Sequence, residues 1–111
     1  MKSKDTFVER LNDMVYEPIF KEVEKIMFDK IGYNIDMLKV KSKSQGYVYP
    51  RMIFSYLCRE KGLTIERIGK KINRNHATIS FYLNNFESYY KSDKIFKILV
   101  DVIVKNKENG E

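Results

Sequence analysis

Apolar residues recur along this chain at three- and four-residue spacing, and no segment sustains a period of two. That rhythm predicts helices throughout. Asp5 is placed to cap a first helix with Val8, Leu11 and Val15 on one face. Pro18 suits the first turn of a second helix, which carries Phe20, Val23, Met27 and Ile31 and stops at Gly32. A short helix over 35–40 turns Ile35 and Leu38 inward, with Met37 beside them. Residues 41–48 are small, polar and non-periodic, and read as a loop. Pro50 opens the next helix, which has Ile53, Tyr56 and Leu57 on one side and Gly62 as its stop. Thr64 caps a helix with Ile65, Ile68 and Ile72, and Asn73 suits a turn. Asn75 caps a long helix with Ile79, Leu83, Phe86 and Tyr90 inward. Ser92 or Asp93 starts the last helix, with Ile95, Ile98, Leu99 and Val102 as its core face. The division expected is a helical extension over 1–17, one domain over 18–104 and a frayed tail over 105–111.

Charge changes this picture from a generic helical domain to one with a direction. Residues 39–75 hold ten lysines and arginines against two glutamates, a net of +8. Residues 1–38 carry six cations and eight acids, and residues 76–111 carry five of each. The whole net charge of +6 therefore comes from the middle of the chain, which points to an anionic partner. Composition excludes other classes. One cysteine allows no disulfide framework, and one histidine with one cysteine makes a four-ligand zinc site improbable. No apolar run is long enough to span a membrane, and Met-Lys-Ser-Lys-Asp leads into no apolar signal core, so the expected address is cytoplasmic. No Gly-rich phosphate loop or catalytic constellation stands out, so no enzyme, metal or cofactor is expected.

The candidate chemistry lies in the helix from Thr64, the turn at 72–74 and the helix from Asn75, which have the spacing of a helix-turn-helix. In that motif the start of the second helix enters the major groove. Arg74, Asn75, His76, Ala77 and Thr78 would then meet base edges. An Arg fork matches guanine, Asn can pair with adenine, and the Ala or Thr methyl suits a thymine methyl. Arg51, Arg59, Lys70 and Lys71 suit phosphates. A plain corner between two helices has the same spacing, and His76 could be an exposed residue without a role; the localised charge favours the DNA-reading version. The tyrosines at 47, 49, 82, 89 and 90 read as core and rim packing rather than base-stacking platforms, and Phe81 has no core account.

The run Ile-Gly-x-x-Ile-Asn-Arg-Asn-His-Ala-Thr-Ile at 68–79 resembles the signature of domain IV of DnaA, the bacterial replication initiator. That signature reads roughly Ile-Gly-x-x-Phe-Gly-Gly-Arg-Asp-His-Thr-Thr-Val. Pro50-Arg51, the basic loop 39–46 and Ile35-Asp36-Met37-Leu38 extend the likeness, which covers roughly 19–103. The resemblance implies an all-α, Trp-repressor-like helix-turn-helix fold with an extra N-terminal helix. It implies sequence-specific binding to double-stranded DNA, by a recognition helix in the major groove and a loop with Lys41 and Lys43 in the minor groove. Lys43 stands where the family inserts an arginine. Further departures are Asn75 for Asp, Ala77 for Thr, Asn73 for a glycine pair, and Phe81-Tyr82 for His-Ala. The family's ATPase domain is absent from this sequence. The implied role is a small replication-accessory or transcription-regulating protein of a host, phage or mobile element, with a second copy or a replication protein as a further partner. The competing reading is a helical interaction module that docks on a replication or transcription protein through Phe81 and the acidic N-terminal helix.

Overall fold

The computed structural model describes residues 2–105, with side chains placed from residue 7 to residue 104. The expected tail therefore lies outside the described residues, apart from the backbone of Lys105. The described elements are α1 (Lys2–Ile31), α2 (Ile35–Leu38), α3 (Gln45–Glu60), α4 (Ile65–Lys71), α5 (His76–Ser92) and α6 (Lys94–Val100), closed by a π-turn over Asp101–Lys105.

Two helices run through the prolines expected to start them. α1 passes Pro18 without a break, and it already includes Asp5, which is therefore not its cap. Proline removes a helix-interior N–H and frees the carbonyl four residues earlier. At Pro18 that carbonyl belongs to Met14, an exposed position where water can serve it. At Pro50, within α3, it belongs to Gly46, and the Tyr33 hydroxyl donates to that oxygen at 2.6 Å. The proline's missing bond is thus made by a side chain from another segment, and the helix begins five residues before the expected start.

α3 is the central element. Tyr49, Met52, Ile53, Phe54 and Cys58 are all buried, a broader face than the expected Ile53–Tyr56–Leu57 stripe. Phe20, Val23 and Met27 of α1 close one side, with Phe20 stacked on Phe54 at 6.3 Å. Ile68, Ile72, Ile79 and Tyr82 close the other. Burial pushes the Cys58 thiol up, so it behaves as a small apolar filler rather than a nucleophile.

The face of α6 differs from expectation. Phe96, Val100 and Ile103 are buried and Leu99 is half-buried, whereas Ile95, Ile98 and Val102 are exposed. The cap explains the rotation. Asp93 accepts from the Phe96 amide at 2.9 Å and from the Tyr49 hydroxyl at 2.6 Å. This turns Phe96 into a cage of Tyr49, Phe86 and Tyr89, with ring centroids 5.1 to 5.8 Å away. Burying such a ring contributes about 1.5–3 kcal/mol, and the same rotation buries Val100 and Ile103 beside it in place of Ile95, Ile98 and Val102. The hydrogen bond to Asp93 pushes the Tyr49 pKa up to about 12 and holds the Asp93 carboxyl below its usual range.

Candidate nucleic-acid interface

The α4–turn–α5 unit is built from local signals that agree with one another. The Thr64 hydroxyl accepts from the Arg67 amide at 3.2 Å and starts α4. Asn73 takes φ +58, the left-handed conformation that Asn tolerates. Asn75 Oδ1 accepts from the Ala77 amide at 2.7 Å and starts α5. Gly69 lets the turn fold back tightly. Its carbonyl accepts from the Arg74 amide at 2.7 Å, and a Cβ on it would lie 2.4 Å from the Arg74 carbonyl oxygen.

The basic loop is tied to this unit by two guanidinium groups. Arg51 is only 2% exposed. Its Nε donates to the Leu38 carbonyl at 3.0 Å, its Nη2 to the Val40 and Ser42 carbonyls at 2.5 and 2.8 Å, and its Nη1 to the Tyr82 hydroxyl at 3.4 Å. So placed, it has no donor turned to the surface, which corrects the phosphate role expected of it: it fixes the path of the loop. Arg74 donates to the same Val40 carbonyl at 2.6 Å, and to the Asn73 and Ile72 carbonyls at 3.0 and 3.3 Å. One oxygen thus joins the loop to the turn that precedes α5.

Around this clamp, His76 and Ala77 are exposed at the first turn of α5, and Thr78 is half-buried. Asn75 is exposed, but its side-chain oxygen is committed to the cap and only its amide donors face outward. Pairing with adenine needs both groups of the amide, so Asn75 as placed can donate but cannot form that fork. Phe81 is 51% exposed one turn beyond Ala77. Lys41 and Lys43 are exposed in the loop, and Lys70 is exposed on α4. Arg59 is exposed and donates to the Leu63 carbonyl at 3.0 Å.

Lys71 is placed differently from the expected phosphate ligand. It lies 2.8 Å from Glu17 and 3.6 Å from Glu24 of α1. Burial opposes its charge, but the bond to Glu17 and the two carboxylates outweigh it and raise its pKa above the ordinary lysine value. A cation so balanced within the chain has little charge left for DNA. The acid row Glu9, Asp13, Glu17 at four-residue spacing was the sequence signal for such a partner. By contrast, no local pattern announced that Leu38, Val40 and Ser42 would lend their carbonyls to Arg51.

A family profile described as bacterial dnaA protein helix-turn-helix matches residues 20–84. The chromosomal replication initiator protein DnaA of Lachnoclostridium phytofermentans is 38% identical over 66 residues, 58% of this chain and 15% of that protein. The DnaA of Mycoplasma capricolum is 30% identical over 89 residues, 78% of this chain and 20% of that protein. DnaA 2 of Chlamydia caviae is 39% identical over 49 residues, 43% of this chain and 11% of that protein. The chain thus spans a fifth or less of these relatives. No solved structure gives a significant match. The chain belongs to the DnaA helix-turn-helix family, whose domain binds double-stranded DNA. No described helix is long and apolar enough to cross a membrane.

Proposed function

We propose that the chain reads double-stranded DNA sequence-specifically, with the start of α5 in the major groove and the loop around Lys41 and Lys43 in the adjacent minor groove. The observation that carries this reading is the shared Val40 carbonyl, which holds the basic loop against the turn leading into α5. Two probes on one rigid clamp can enter neighbouring grooves together without an ordering cost at the moment of binding. His76, Ala77 and Thr78 meet base edges, and Asn75 donates one hydrogen bond. Arg74 reaches a base only by leaving its three carbonyls, so as placed it positions the loop and turn. Arg59 and Lys70 hold phosphates. Lysine lacks the planar fork of arginine, so insertion of Lys43 into a narrow minor groove is electrostatic and weakly directional. The named relatives are replication initiators, and we assign this chain a cytoplasmic role as an accessory or regulator beside such a protein, without ATPase activity of its own.

The test is selection of bound sites from a random duplex library, followed by titration of the selected site at several salt concentrations. If Lys41, Lys43, Arg59 and Lys70 each displace a counterion, log K falls with log salt at a slope of about −3 to −4. His76→Ala costs about 1–3 kcal/mol on the selected site and far less on random DNA. No binding at low salt, or a slope near zero, overturns the reading.

A further inference from the structure

The first half of α1 has two opposite faces. Glu9 and Asp13 lie on the side that meets α4 and Glu17 at the edge of that side, and all three line a cleft of about 400 Å³ together with Arg67, Lys70 and Lys71. The Arg67 guanidinium sits 4.1 Å from the Tyr16 ring centre, and Lys71 is bonded to Glu17. The other side carries Phe7, Val8, Leu11, Met14 and Val15, which are 46–73% exposed. With its polar side held against α4, the arm cannot roll this stripe onto the body without giving up those contacts. An apolar patch kept facing outward marks a binding surface.

We propose that the stripe is the contact for a second copy of this chain, the two arms pairing antiparallel. The spacing from Phe7 to Leu11 to Met14, four residues and then three, is that of a coiled-coil seam, and Val8 and Val15 widen it on one flank. The charges on the other flank choose the partner. Arg10 and Glu17 lie there seven residues apart; Glu17 stands at the border with the polar side, its Oε2 on Lys71 and its side chain still 40% exposed, so Oε1 is left for a second cation. When Leu11 of one arm packs on Met14 of the other with the helices antiparallel, Arg10 of each copy faces Glu17 of its mate. On the opposite flank Val8 then meets Val15. A parallel pair would set Arg10 against Val15 and Glu17 against Glu22, a mismatch and a repulsion. The patch is therefore complementary to itself, which a two-fold contact requires. Such a dimer carries two recognition helices related by the same axis and suits inverted half-sites.

Sedimentation of the full chain across a wide concentration range tests this. The parent shows a monomer–dimer equilibrium. Leu11→Glu with Met14→Glu stays monomeric with an unchanged circular dichroism spectrum, since both side chains are exposed. Arg10→Glu weakens association by about fivefold to tenfold, because each charge change acts twice across the axis. Orientation is read by mixing Leu11→Cys and Met14→Cys chains under mild oxidation, with Cys58 buried and out of reach. An antiparallel pair gives the mixed disulfide, and a parallel pair gives like with like. A parent that stays monomeric, a Leu11→Glu and Met14→Glu double variant that still dimerises, or like-with-like disulfides overturn the proposal.

Discussion

The two halves of α1 are one helix with two environments. From Phe20 onward, Phe20, Val23 and Met27 are buried against α3, and the family match begins at the same residue. Before Pro18, Phe7, Val8, Leu11, Met14 and Val15 face outward. Both halves have apolar residues at helical spacing, so periodicity alone could not separate them. What separates them is whether another element lies opposite the stripe. The second half is part of the domain that folds around α3, and the first half is an arm held by the Glu17–Lys71 ion pair and the Arg67–Tyr16 contact, with its apolar side left for use elsewhere.

The sharpest way to break this comparison is to truncate one methionine in each half. Met27 is fully buried, so Met27→Ala lowers unfolding free energy by about 2–5 kcal/mol. Met14 is the most exposed of the arm's apolar residues, and Met14→Ala in dilute protein changes stability by no more than about 0.5 kcal/mol. Urea titration of both variants reads the difference. Equal losses would mean that the arm is part of the cooperative core.

Pro18 marks the junction, and Pro18→Ala sharpens the contrast. Proline in a helix interior is about 3 kcal/mol less favourable than alanine. Pro18 is exposed, so its removal leaves no cavity. The gain falls on whichever unit frays first. Amide exchange in the arm should slow by about one order of magnitude, the equivalent of roughly half of that propensity difference. Exchange at Val23 and Met27, governed by global unfolding, should change much less. A uniform slowing across α1 would show that the halves open together.

The same contrast explains which features the sequence disclosed. Signals complete within a few residues were legible: the Thr64 and Asn75 caps, the left-handed Asn73, and the stops at Gly32 and Gly62. Together they place the helix-turn-helix from local sequence alone. Features completed by distant segments were not legible. The helix around Pro50 depends on the Tyr33 hydroxyl, thirteen residues from the carbonyl it serves. Arg51 and Lys71 read as surface cations, and only the fold showed carbonyls around one and carboxylates around the other. In α6 the exposed Ile95 and Ile98 outvoted the buried Phe96 in a pattern reading, because the aromatic cage that selects Phe96 is assembled from α3 and α5.

The smallest expected effect concerns the ion pair at the junction. Glu17→Gln removes the carboxylate 2.8 Å from Lys71 but leaves Glu24 at 3.6 Å. Both side chains keep some contact with solvent, so the loss is under about 1 kcal/mol and shrinks as salt is added. Its pH dependence has a definite sign. The pKa of Lys71 is raised in the folded chain. A raised lysine pKa stabilises the fold fully at pH values below the unfolded value, and that contribution is lost as pH rises through the folded one. The parent should therefore lose more stability than Glu17→Gln on going from neutral pH into the range above the ordinary lysine pKa. At neutral pH and high salt the two should converge. A gap that persists in high salt would mean that Glu17 holds the arm by something other than charge, and the arm would then belong to the body as firmly as the half of α1 that follows Pro18.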